Sequence, residues 1–254
     1  MGTEGADRSL RGKLRRRLAR LAVRHAATVA PQRPMVSFCF DDAPESAALA
    51  GAGILEDRGL SGTYFISMGL AGRTGPMGPN ADAVLIGRLL GAGHEIGCHT
   101  FSHINCGEAP PEVLADEVDQ NLQALQRLGA PEPVTFAYPY GEVSARAKAA
   151  FGRRFGLSRA LHHGLIGQGS DLNQAPAVGI EGPSGEAVAR HWLERALAEC
   201  GWLILYTHDV QPNPSPWGCT PEALARLADA ALAGGAEVVT AAEGYRRVTA
   251  PLAS

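Results

Sequence analysis

Cysteine is scarce and unpatterned in this 254-residue chain: there are five, an odd number, and no two form a CxxC pair. That pattern fits free thiols in a reducing cytosol better than a disulfide framework. Aromatics amount to only 6% of residues, and no run approaches the roughly 18 apolar residues of a membrane span. The basic amino terminus also lacks an uninterrupted apolar stretch ahead of a cleavage site, so no secretory signal is read there and the expected location is cytoplasmic. Acidic residues are missing altogether from residues 8–34, which carry nine Arg or Lys. The remainder, residues 35–254, holds 14 basic and 24 acidic residues. An acidic body of this kind argues against nucleic acid as a partner.

What is present is ordinary globular composition, 45% hydrophobic and 19% charged, enough for one large α/β domain. Ser9–Ala30 reads as a basic amphipathic helix, with Leu10, Leu14, Leu18 and Leu21 on one side and arginines around the rest. Such a helix either lies on an anionic membrane surface at its inner face, through residues 9–30, or packs its leucines on the body. After the Pro31-Gln-Arg-Pro34 break, the division is a leader at 1–33 and one large domain at 34–254.

Within that domain short apolar runs alternate with helical patterns. Strands are expected at Met35–Phe40, Thr63–Ile66, His94–Cys98, Val134–Tyr138, Leu157–Leu161, Trp202–Tyr206 and Glu237–Thr240. Helices are expected near Ser46–Arg58, Ala81–Ala92, Pro111–Leu128, Ser144–Phe151, Ser184–Glu199 and Pro221–Ala233. Continuous apolar strands fit a parallel sheet covered on both faces, hence a barrel or a doubly wound sheet. The Gly-, Ser- and Pro-rich stretch 164–185 reads as irregular loop, and so does 212–218.

Three polar clusters follow predicted strands directly: Asp41-Asp42, His99-x-x-x-His103 and His208-Asp209. In a barrel, the carboxyl ends of the strands are where catalytic groups converge. The i, i+4 spacing of His99 and His103 puts both imidazoles on one face of a helical turn. Two imidazoles, a carboxylate from Asp41 or Asp42 and an open position make a common catalytic zinc arrangement. Adjacent carboxylates in a low-dielectric site also call for a cation, since both cannot otherwise stay ionised. His94 and Cys98 read as structural, and His162-His163 as no more than peripheral substrate contacts.

The stretches FCFDDA (38–43), HTFSH (99–103), FAYPYG (136–141) and YTHDV (206–210) together resemble the signature motifs of the polysaccharide deacetylases. These are carbohydrate esterase family 4, the NodB-homology family. The resemblance implies an α/β fold, a distorted (β/α)7-type barrel, and one divalent metal held by Asp42, His99 and His103. Zinc is the usual ion, and cobalt, nickel or manganese suit the same donors. It further implies Asp41 as general base, His208 as general acid and the Tyr140 backbone N–H as an oxyanion donor, with Tyr138, Pro139 and Trp217 against the substrate. The implied reaction is metal-dependent removal of N-acetyl groups from N-acetylglucosamine units of a polysaccharide or lipid-linked oligosaccharide. The 207–222 region and the overall size are somewhat like those of the deacetylase of holdfast adhesin synthesis, which points to exopolysaccharide or adhesin synthesis. A deformylase or cyclic-amide hydrolase on the same fold is the first alternative, and a non-catalytic glycan-binding or scaffold protein the second.

The sequence departs from the family pattern in two ways. An arginine that steers the base is often found where Ala137 stands, so Asp41 is either oriented differently or served by another cation. The partner of His208 is also not evident, Asp171 and Asp209 being the candidates.

Overall fold

The computed structural model describes Asp7 and residues 9–250. A short amino-terminal helix, α1 (Leu10–Ala19), precedes β1 (Met35–Asp41), a single-turn π-helix at Ala47–Gly51 running into α2 (Ala52–Glu56), and β2 (Thr63–Ile66). A two-stranded hairpin, β3 (Thr74–Gly75) and β4 (Gly78–Pro79), leads to α3 (Ala83–Gly91) and β5 (Glu95–Cys98). Next come α4 (Pro111–Arg127), β6 (Thr135–Ala137), α5 (Ala145–Phe151), β7 (Leu157–Arg159) and β8 (Val178–Gly179). The chain ends through α6 (Gly185–Glu199), β9 (Trp202–Thr207), α7 (Pro221–Ala233), β10 (Glu237–Val238) and α8 (Ala241–Thr249).

One sheet runs β7-β6-β5-β2-β1-β9-β8, with β10 beside the start of β1, and its strand pairs are all parallel. It curls far enough to meet itself. Ala160 N–H donates to Ala175 O (2.9 Å) and Ala175 N–H to Ser158 O (2.9 Å), so the segment before β8 joins the opposite edge and closes a distorted (β/α) barrel.

The period-two alternation of strands sorts side chains onto two faces. On β1, Val36, Phe38 and Phe40 point outward under the helices, while Met35 and Cys39 point into the barrel. On β9, Leu203 and Leu205 face out, while Trp202, Ile204 and Tyr206 face in. Continuing each inward series by two residues reaches Asp41 and His208, so the same alternation that builds the barrel interior delivers the functional groups to its carboxyl rim. A third apolar cluster, with Phe136, Tyr138 and Phe151, lies on the far side of β6 under α4 and α5.

The seven expected strands are all present, within a few residues at their ends. The 164–185 stretch contains β8, which sequence patterning misses because two residues beside glycine and proline carry no alternation. The leader differs most: its helix ends at Ala19 rather than Ala30, and residues 24–29 instead run as a strap, with Thr28 and Val29 N–H both on Val248 O (2.9 and 3.1 Å).

Candidate metal centre and active site

Asp42 follows β1 directly in a left-handed conformation (φ 58°), which turns its carboxylate away from the strand direction and over the barrel mouth. Its Oδ1 lies 3.7 Å from His99 Nε2 and 3.4 Å from His103 Nε2. The ligand atoms of the three residues all fall within 4.8 Å of one another. Asp42 Oδ1 is buried yet has no hydrogen-bond partner among the described residues. A buried, orphaned carboxylate oxygen costs free energy unless something satisfies it, and here it faces two ring nitrogens. His99 Nδ1 is 2.7 Å from Ala137 O, which fixes the proton on that nitrogen and leaves Nε2 with its lone pair toward Asp42. Burial, with His103 alongside, pushes His99 down to about 4, and burial with His208 nearby does the same to His103. Neutral imidazoles beside an unsatisfied carboxylate oxygen are the donor set of a divalent cation.

The two histidines do not reach this arrangement by a helical turn, contrary to the expectation from their spacing. Residues 99–103 form an irregular loop with Thr100 and His103 in the left-handed region (φ 62° and 58°). Glu117 of α4 shapes it, accepting from Phe101 N–H (2.9 Å), Ser102 N–H (2.7 Å) and the Ser102 hydroxyl (2.5 Å). The imidazole centroids end up 4.9 Å apart.

Asp41 is buried and bonded through Oδ1 to the guanidinium of Arg159. Arg159 is the cation whose place at Ala137 is vacant in sequence. Ala137 and Arg159 are paired residues of β6 and β7, so the charge has moved one strand sideways at the same level of the barrel. Its Nε and Nη1 lack hydrogen bonds among the described residues, and the group lies instead between the rings of Phe65 (5.0 Å) and Tyr206 (4.9 Å). Burial opposes ionisation of Asp41, but Arg159, with His99 and His208 behind it, outweighs that and holds the carboxyl below its ordinary range.

His208 finds its partner in Glu181, two residues beyond β8: Nδ1 to Oε1 is 3.0 Å, and the other oxygen, Oε2, accepts from the Tyr206 hydroxyl at 3.1 Å. Burial works against a charged ring here, yet Glu181, Asp41 and Asp42 prevail and raise His208 to about 9. Neither expected candidate fills this role. Asp209 accepts from Ser215 and Gln211 and organises the 211–218 loop, while Asp171 pairs with Lys148 (2.6 Å).

Tyr140 adopts φ 57° in the tight turn Pro139–Gly141, and its ring lies 4.4 Å from that of His103. Trp217 is 48% exposed beside His208, whose N–H donates to its carbonyl (3.2 Å). Tyr138 requires correction as a substrate contact. Tyr138 is 1% exposed, packed against Phe136 and Phe151 with its hydroxyl on Asn173 O (3.0 Å), and Pro139 is buried. Odd positions on β6 face inward and even ones outward, so Tyr138 turns with Phe136 into the core behind the strand. Sequence reasoning passed over Arg159 and Glu181. An arginine inside the apolar strand candidate 157–161 was the available signal for the first. Glu181 sat in a stretch read as loop and had none.

A Bacillus cereus peptidoglycan-N-acetylglucosamine deacetylase is 28% identical over 109 residues, 42% of this chain and 37% of that protein. The curated relatives are longer proteins: the matches span between 16 and 37% of their lengths. Among solved structures, a Mycobacterium smegmatis protein assigned to the polysaccharide deacetylases superposes with TM-score 0.67 at 18% identity, over 88% of this chain and 95% of that one. A family 4 acetyl xylan esterase from Clostridium thermocellum, solved with a cobalt ion, gives 0.56 at 22% identity over 82% and 89%. These likenesses show a common barrel. The sequence profile described as Polysaccharide deacetylase matches residues 28–157, just over half the chain and the stretch that carries Asp41, Asp42, His99, His103 and Tyr140; on that match this chain belongs to the polysaccharide deacetylase family.

Proposed function

We propose that the chain is a metal-dependent N-deacetylase acting on N-acetylglucosamine units of a polysaccharide or lipid-linked oligosaccharide. One observation carries this reading: two titratable groups flanking the Asp42, His99, His103 cluster are driven to opposite states. Asp41 is held ionised and His208 protonated through neutral pH. Groups in one pocket whose environments push them apart in this way are the mark of an acid–base pair.

A divalent cation, zinc in the first instance, fits Asp42, His99 and His103 and supplies polarisation of the acyl oxygen and a water acidic enough to attack at neutral pH. Asp41, pinned by Arg159 through Oδ1, takes the attacking water's proton on Oδ2. The Tyr140 N–H donates to the oxyanion, a contribution worth about 10²–10³ in rate for a single donor. As the C–N bond breaks, His208 passes its Nε2 proton to the amine nitrogen, which is too basic to leave as an anion. Glu181 keeps Nδ1 protonated and the ring oriented. Trp217, exposed beside His208, walls the acetyl or sugar side.

Only the empty arginine position favoured a deformylase or cyclic-amide hydrolase, and Arg159 removes that ground. A non-catalytic role requires loss of a catalytic group, and all five are in place. Five free thiols support a reducing, cytoplasmic setting, with residues 34–254 as the catalytic unit and exopolysaccharide or adhesin synthesis as the process served. Among the described residues no helix is long and apolar enough to cross a membrane.

Acetate release from N-acetylglucosamine oligomers by zinc-loaded wild type and Asp41→Asn tests the reading. We expect release by wild type and a fall on the order of 10²–10⁴ in the variant, with metal content unchanged. Equal release by both would remove Asp41 as base, and no release by either would exclude these oligomers as substrate.

A further inference from the structure

Helix α1 is mounted the wrong way round for a surface helix. Its buried residues are Gly12 and Ala19, and the side chains between them that reach the body are Arg15 and Arg16, both paired with the fully buried carboxylate of Glu142. The leucines face solvent: Leu10 is 84% exposed, Leu14 56%, Leu18 55% and Leu21, in the turn that follows, 79%. Their i, i+4, i+8 spacing makes one continuous stripe along a helix of roughly 15 Å. Both readings of the leader in sequence agreed on an amphipathic helix, and the structure excludes the one in which the leucines pack on the body.

Exposed cations border this stripe on both sides: Arg11 on one, Lys13, Arg17 and Arg20 on the other, with Arg24 beyond. Acidic groups at the helix lie on its inner face, where Asp7, Glu108 and Glu142 are engaged by Arg15. Among the described residues the outward surface is therefore apolar at its centre and cationic at its edges. A second copy of the chain would bring one ring of five cations against another. An anionic bilayer offers hydrocarbon to the leucines and phosphate to their rim.

We infer that α1 is a docking surface for an anionic lipid bilayer. The docking itself does not depend on the deacetylation reading. The mounting also gives it a direction: Glu142, which fastens the helix from its inner face, is two residues from Tyr140, so docking turns the side of the body that carries Tyr140 toward the membrane. A glycan acceptor anchored in that membrane is the substrate form such an orientation serves.

Co-sedimentation with vesicles decides the matter, using the full chain with phosphatidylcholine alone and with phosphatidylcholine–phosphatidylglycerol at 7:3. Wild type should sediment with the anionic vesicles and at least about ten-fold less with the neutral ones, weakening as salt shortens the Debye length. Replacing Leu10, Leu14, Leu18 and Leu21 by Gln should abolish sedimentation while turnover of a soluble substrate and the circular dichroism spectrum stay as in wild type. Arg11→Gln, Lys13→Gln and Arg17→Gln should each weaken partitioning about five-fold. Equal partitioning onto both vesicle types, undiminished partitioning of the leucine variant, or a wild-type dimer that this variant makes monomeric without any vesicle binding would each overturn the proposal.

Discussion

At the scale of single residues the site is a set of opposed protonation states maintained by particular neighbours. His208 is the clearest case. Its charged form is favoured by a short contact to Glu181 against the cost of burial, which places its titration near 9. A group raised in this way is charged below that value and loses its proton as pH rises through it. If His208 is the acid, activity should hold through neutral pH and fall on the alkaline side near 9. Glu181→Gln removes the largest favourable influence, so the alkaline limb should move toward the ordinary histidine value of about 6.5. A kcat–pH profile of both proteins measures this directly; an unmoved limb in the variant would separate Glu181 from the acid. Most of these residues were legible in sequence because Asp41, Asp42, His99, His103 and His208 sit next to apolar strands in diagnostic clusters. Glu181 was not, since the strand before it is two residues long and its partner lies 27 positions away.

At the scale of elements, parallel register decides which substitutions the fold tolerates. Because Ala137 and Arg159 are paired across β6 and β7, either can project a guanidinium toward Asp41. Arg159→Ala should cut kcat about 10–100-fold, the usual cost of losing a group that orients a catalytic residue, with KM and metal content nearly unchanged. Adding Ala137→Arg to that variant should recover a substantial part of the loss. Failure of the second change to restore any rate would mean that the strand position, and not only the charge, is required. The sequence pattern located the strands well because each is an apolar run bounded by glycine, proline or a polar cluster. It misplaced the local geometry of residues 99–103, where the i, i+4 spacing imitates a helix. What forms is a loop with two left-handed residues, shaped by Glu117 of the helix that follows it.

At the scale of the whole molecule, the cluster of Asp42, His99 and His103 joins the ends of β1 and β5, so a bound ion ties together elements far apart in sequence. Zinc at about 100 times its dissociation constant should stabilise the folded chain by about 2.7 kcal/mol. Thermal unfolding with zinc and with chelator should show the higher Tm with zinc, and Asp42→Ala should erase the difference. The leader illustrates the opposite limit of sequence reading. Its amphipathicity was plain, but which face would meet the body depended on a buried glutamate more than a hundred residues away.

The closing seam of the barrel joins β7 and the residues just after it to the segment before β8 through backbone hydrogen bonds from Ala160 N–H to Ala175 O, Ala175 N–H to Ser158 O and Ala177 N–H to His162 O. Arg159 stands at the end of one lip and Glu181 just beyond the other, so the residue that holds Asp41 and the residue that holds His208 sit on facing sides of one seam. Widening of that gap would draw Asp41 and His208 away from the Asp42, His99 and His103 cluster together, so strain at this one seam would reach both groups at once.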